Sequence, residues 1–120
     1  MISFKVENLK NMNEQLKEFS DFLRRENVLD DDIFAVKLVS CELITNVIRH
    51  GREPAEFCGQ LSDDTILIKV TAKSLEGVNF DRLVPDVFAE NGRGLYIVQS
   101  FCQCLECSGS GEVSVQIKRH

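Results

Sequence analysis

The reading of this chain turns on Glu42-Leu43-Ile44-Thr45-Asn46-Val47-Ile48-Arg49-His50-Gly51. Glu42, Asn46 and His50 are spaced four apart. At 3.6 residues per turn, a step of four drifts by only about 40° around a helix. The three side chains therefore share one polar stripe. Leu43, Ile44 and Val47, with Ile33 and Val36 upstream, supply the apolar face beside it. Asp30, Asp31 and Asp32 suit an N-cap and first turn, and Gly51 suits a C-cap. A helix is predicted from these aspartates to about His50. A carboxylate and a carboxamide stacked on one stripe suit a divalent cation that carries phosphates. Hard cations take oxygen ligands, and magnesium uses only one or two from the protein. Taken alone, the same spacing also describes the solvated edge of an amphipathic helix.

Outward from this helix the periodicities give the remaining elements. Ile2, Phe4 and Val6 alternate, so residues 2–6 read as a strand. Leu9, Met12, Leu16, Phe19 and Leu23 recur at steps of three and four, predicting a helix over about 11–27. Residues 56–61 and 65–72 read as strands joined by Ser62-Asp63-Asp64. In the second of these, Leu67 and Lys69 interleave with Ile66, Ile68 and Val70, which suggests cover on both faces. Residues 73–91 contain Gly77 and Pro85 and are expected to be irregular, with the length of a functional lid. A third helix is expected over about 92–102. A last pair of strands, 104–108 and 112–119, is expected around Ser108-Gly109-Ser110-Gly111. The order β-α-α-β-β-loop-α-β-β does not alternate as a doubly wound sheet would. It predicts one α+β domain over residues 1–120: a two-layer sandwich whose mixed, mostly antiparallel sheet carries its helices on one face.

Two glycine-bearing segments add chemistry. Asn91-Gly92-Arg93-Gly94-Leu95 opens the third helix, where two glycines and the free N–H groups of a helix start suit a phosphate. Gly77-Val78-Asn79-Phe80-Asp81 follows a strand, and Gly77 permits a turn there. Each is weak alone. Together, Glu42-Leu43-x-x-Asn46-x-x-x-His50-Gly51, then strand-Gly77-Val78-x-Phe80-Asp81, then Gly92-x-Gly94-Leu95-x-Ile97-Val98 resembles the Bergerat-type (GHKL-type) ATPase and kinase superfamily. Within it, the likeness is greatest to the small bacterial anti-sigma-factor serine/threonine kinases that act in partner switching. The resemblance covers nearly the whole chain.

The resemblance implies a Bergerat-like fold, ATP or ADP as ligand, and Mg2+. It places the general base on Glu42 and the magnesium ligand on Asn46. Gly77, Gly92, Arg93, Gly94 and Leu95 join Asn46 as nucleotide-binding residues, with 77–91 as the lid. His50 would be structural or a loop anchor. Phosphoryl transfer needs mainly positioning and charge neutralisation, so this modest set suffices. The implied partners are a sigma factor and an anti-sigma-antagonist-type protein, with a homodimer common in this branch. Arg24, Arg25 and Glu26 lie on a helix that often contributes to the partner surface.

The chain departs from the family pattern at the adenine end. Where the family has an aspartate that accepts a hydrogen bond from the adenine amino group, this sequence has Leu75 if Gly77 is aligned, or Lys73 if the strand is. Neither accepts such a bond. Glu76 and Glu112 are the nearby alternatives. Where the family favours Gly-Thr in the last strand, the pair here is Gly111-Glu112. Two readings stay open: a nucleotide-binding regulatory kinase, or a regulatory binding module that works without nucleotide.

Composition narrows the remaining classes. Lys+Arg 14 against Asp+Glu 19 gives a formal charge of -5, which disfavours direct binding to nucleic acid or to an anionic membrane. The longest apolar runs, Ile33 to Val36 and Leu95 to Val98, fall far short of the roughly 20 residues of a membrane span. Met1 to Met12 holds no signal-like apolar core, so a cytoplasmic protein is expected. At this length no appended sensor or anchor is expected, and any signal arrives as a separate molecule. Five cysteines, an odd number, argue against a disulfide framework. Cys102, Cys104 and Cys107, with Cys58 as a fourth ligand, also admit a thiol-based metal or redox sensor. Against this, cysteine often acts as a small buried hydrophobe. No nucleophile elbow serves either histidine, and no Walker-type glycine loop is present.

Overall fold

The computed structural model describes residues 2–48, 54–76, 104–107 and 110–120. The elements in chain order are β1 (Ile2–Val6), α1 (Leu9–Arg25), α2 (Asp30–Asn46), β2 (Ala55–Leu61), β3 (Thr65–Glu76), β4 (Cys104–Cys107) and β5 (Ser110–Lys118). The sheet order is β1-β2-β3-β5-β4, and all four described pairings are antiparallel. Both described helices cover the same face, so the expected α+β sandwich is the observed one.

Side-chain alternation decides which face is covered. Val6, Ala55, Phe57, Ile66, Ile68, Val70, Ala72, Val113, Val115 and Ile117 are buried under the helices. Between them Lys5, Glu56, Gln60, Lys73, Gln116 and Lys118 are exposed on the other face. That face carries no described helix, and Leu67 and Lys69 are half-buried on it rather than covered. A half-solvated face is ordinary for an antiparallel sheet.

α1 starts at Asn8, whose side chain accepts from the Asn11 N–H at 2.8 Å, while Asn11 Oδ1 accepts from the Glu7 N–H at 3.3 Å. This reciprocal cap sets the start at Leu9, two residues earlier than the apolar stripe suggests. Leu9 itself is 44% exposed, and the buried stripe begins at Met12. The helix ends at Arg25 rather than Asn27. Asn27 takes φ 63°, and the Asn27 and Val28 N–H groups donate back to Arg24 and Leu23. This is a Schellman stop with asparagine in the left-handed position, and buried Val28 and Leu23 give it the usual apolar contact.

α1 lies over β1 and β2 through Phe19. Its ring meets Phe57 edge-on at 5.5 Å and Phe22 at 6.3 Å, while Phe57 stacks on Phe4 at 4.6 Å. Gly59 of β2 sits directly beneath. A Cβ there would stand 2.4 Å from Phe19 Cζ, so only glycine admits the ring.

α2 packs over β3 and β5. Its N-cap is Leu29, which makes no side-chain cap bond. The three aspartates fill the first turn, where negative charge meets the helix dipole favourably. Asp32 has a separate role. It is buried, and its carboxylate accepts from the His120 backbone N–H and pairs with His120 Nδ1, both at 2.7 Å. Nothing in the sequence pairs these two residues, which lie 88 positions apart. Asp32→Ala is expected to cost about 2 kcal/mol, the scale of hydrogen bonds to a charged group, as a lower urea midpoint. The α-helix runs to Asn46 and passes into π-type geometry at 47–48; the expected end near His50 lies outside the described residues, which omit 49–53.

Two strand boundaries differ from expectation. β3 continues to Glu76, because Ala72 stays buried and Lys73 exposed, and Glu76 pairs with Ser110 past a register shift. β5 begins at Ser110, so Ser110 and Gly111 belong to the strand and not to the preceding turn. The expected lid, third helix and Gly92-x-Gly94 segment lie outside the described residues.

Candidate functional site

The contact between Asp32 and His120 fixes the direction of α2. Its first turn is tied to the end of β5, and its body packs over β5 and β3. It therefore runs back towards Gly111 and the end of β3. Asn46 lies fourteen residues beyond Asp32, about 21 Å at 1.5 Å per residue. Leu43, Ile44 and Val47 share the core cluster with Ala72 and Val113 at that end. Glu42 is half-buried in this part of α2, and Asn46 is the last residue of the helix, four positions on.

The local environment is one of partial burial. Burial pushes the Cys41 thiol up from its ordinary value; Lys37 opposes this and Glu42 adds to it. The reactive form of cysteine is the thiolate. Alkylation of Cys41 at neutral pH is therefore expected to be at least several-fold slower than that of an unstructured cysteine peptide, accelerating as pH rises. Peptide mass spectrometry over a time course reads this rate. Ser40, by contrast, points by helical phase with Val36, Ile44 and Val47 into the core. Its buried hydroxyl has no partner among the described residues, and it stands apart from the Glu42–Asn46 stripe.

The base end of the site differs from the α2 stripe. Lys73 is exposed on the face away from the helices. Glu112 lies on that same face, opposite Thr71 in register, and accepts from Ser114 Oγ at 3.4 Å. It is therefore not the substitute acceptor suggested by the sequence. On the helix side, the end of β3 and the start of β5 offer Val70, Ala72, Gly111 and Val113, all buried. Glu76 closes β3 opposite Ser110. Of the remaining predicted site residues, Gly77, Gly92, Arg93, Gly94, Leu95 and the helix-end His50 lie outside the described residues.

The model for the histidine kinase-like ATPase domain matches residues 5–118. The chain belongs to this family. A search of the curated proteins finds no match. For a histidine kinase-like ATPase domain, nucleotide binding with magnesium is the coarse expectation, and the two ends of this one fit it unequally. Glu42 and Asn46 supply the residue types that a magnesium–phosphate group needs. At the base end, the buried helix-side residues Val70, Ala72, Gly111 and Val113 are without a side-chain acceptor.

Strand order bears on Cys58 as a fourth thiolate ligand. β2 and β4 are three strand steps apart, about 14 Å at the usual spacing. Zinc–sulfur bonds of about 2.3 Å cannot bridge that gap, so Cys58 is not a fourth ligand. In register, Cys104 pairs with Gln116 and Cys107 with Val113, and Cys102 lies outside the described residues. Among the described residues no His, Cys, Asp or Glu cluster suits a metal, and Cys41 and Cys58 are free thiols. No helix among the described residues is long and apolar enough to cross a membrane.

Proposed function

We propose that this ATPase-like domain is a cytoplasmic, nucleotide-binding regulatory protein of the anti-sigma-factor serine/threonine kinase kind, acting in partner switching. The observation that supports the reading is that α2, which packs over β3 and β5 in a chain of this family, carries Glu42 and Asn46 four apart in its last turns. Asn46 would hold magnesium, which neutralises phosphate charge. Glu42 would accept the proton of an attacking serine or threonine hydroxyl on an antagonist-type protein. The sigma factor and that antagonist are the proposed protein partners, with a homodimer as the proposed assembly. Arg24, one of the candidate partner residues, lines an open groove of about 300 Å³ with Ser20, Asp30, Ile33, Phe34 and Lys37. Phe34 is 60% exposed there and neighbouring Leu29 is 52% exposed, an apolar surface of the kind that protein partners cover.

The departures from the family pattern at the adenine end, Leu75 or Lys73 and Gly111-Glu112, favour a second reading, a regulatory binding module that works without nucleotide. Calorimetry with magnesium-ATP separates the two. The kinase reading expects saturable heat below millimolar nucleotide. No heat at millimolar nucleotide leaves the module.

A further inference from the structure

We infer that the groove between α1 and α2 is a docking site for an acidic amphipathic helix of a partner protein. This rests on the partner reading above and adds the chemistry of the partner.

Two contacts fix how the helices lie. Arg24 Nε stands 3.7 Å from Asp30 Oδ1 near one end, and Thr45 Oγ1 donates to Met12 Sδ at 3.7 Å near the other. The pair is therefore antiparallel, and α1 from Arg24 back to Lys17 runs alongside α2 from Asp30 on to Lys37. At 3.6 residues per turn, Lys17, Ser20 and Arg24 fall on one stripe of α1, and Asp30, Phe34 and Lys37 fall on one stripe of α2. Ser20, Arg24, Asp30, Phe34 and Lys37 line the open groove of about 300 Å³. Lys17 is exposed and continues the α1 stripe.

Charge along the groove is uneven. At one end Arg24 is engaged by Asp21 at 3.3 Å and by Asp30. At the other, Lys17 and Lys37 stand level, both exposed, and neither is in an ion pair among the described residues. One turn either side of Lys37, α2 has Ile33, Phe34, Ser40 and Cys41, none of them a carboxylate. A chain of formal charge -5 thus carries a local cationic stretch. Beside it, Phe34 is 60% exposed over buried Ile33. The groove offers an apolar wall with two ammonium groups at one end.

The backbone groups of α1 and α2 are bonded along their own helices, so no sheet edge is offered for strand addition here. A furrow between two antiparallel helices instead fits the side-chain ridge of a third. Its aliphatic side chains would cover Phe34, and its carboxylates would meet Lys17 and Lys37. The charges set register and choice of partner, while apolar contact holds the helix.

Fluorescence anisotropy tests this with two labelled, alanine-based helical peptides of about 18 residues, long enough to hold a helix. One carries leucines along one face with glutamates beside them; its twin has lysine at each glutamate position. The net charge of the chain favours the twin everywhere else on the molecule, so a preference for the glutamate peptide reports the groove. The wild type is expected to bind the glutamate peptide about tenfold more tightly than the twin. The double variant Lys17→Glu, Lys37→Glu should reverse that preference. Phe34→Ser should weaken the glutamate peptide at least about fivefold. All three side chains are exposed, so each variant should keep the wild-type unfolding midpoint. Absence of binding by the glutamate peptide, or a preference untouched by the double reversal, overturns the proposal. Wild-type self-association that Phe34→Ser abolishes also overturns it, by making the occupant a second copy. Magnesium-ATP calorimetry on the same protein is independent of these outcomes and decides the nucleotide reading separately.

Discussion

Phe19→Ala is expected to lower the free energy of unfolding by about 4 kcal/mol, within the range for removing a buried aromatic side chain. Phe19 is 1% exposed and joins α1 to the sheet through Phe57 and Phe22. Gly59→Ala attacks the same contact from below. Its methyl would stand 2.4 Å from the ring, and the ring has aromatic neighbours on two sides, so overpacking should cost about 2 kcal/mol. The two changes are expected to be strongly non-additive. With the ring gone, a methyl at 59 fills vacated space, and alanine is less costly than glycine in a strand by roughly 0.5–1 kcal/mol. In the Phe19→Ala background, Gly59→Ala should therefore be neutral or stabilising. Urea unfolding of the four proteins reads the cycle. Additive losses would show that Gly59 is required for some other reason.

Glu42→Gln is expected to reduce phosphoryl transfer to a protein hydroxyl by about 10²–10⁴, the usual contribution of a general base. Nucleotide affinity should change by less than about threefold, on the order of 0.6 kcal/mol, because the glutamine keeps the shape of the side chain. The split between rate and binding separates a base from a residue that merely supports the helix. A structural role would move the unfolding midpoint and the affinity together. Glu42 has partners in the fold, so the unfolding midpoint of the variant should be recorded alongside its rate.

Local patterns were legible in the sequence, and long-range pairings were not. The buried faces of both described helices, the hairpin at Ser62-Asp63-Asp64 and the α+β layering follow from periods of 3.6 and 2, which are properties of short windows. The spacing Glu42-x-x-x-Asn46 is likewise a property of one helix. Asp32 read as an ordinary first-turn aspartate, since its partner His120 lies 88 residues away. The requirement for glycine at 59 is set by the docking of α1, since only that docking puts the Phe19 ring over it. The end of α1 was placed two residues late because Asn27 is polar and helix-compatible in pattern; its left-handed backbone is a tertiary outcome. That Cys58 stands three strand steps from β4 was likewise not legible, since sheet order is a long-range property. At the base end the missing aspartate was visible in the sequence. That Glu112 does not replace it became visible only from the register of β3 against β5.

The central claim is that α2 presents a magnesium–phosphate site. Its most direct test is the magnesium dependence of nucleotide binding by the wild type and by Asn46→Ala, measured by calorimetry with and without chelator. The account predicts that the wild type binds at least tenfold more tightly with magnesium, and that Asn46→Ala binds with similar, weaker affinity in both conditions. Full magnesium dependence retained in Asn46→Ala would contradict it.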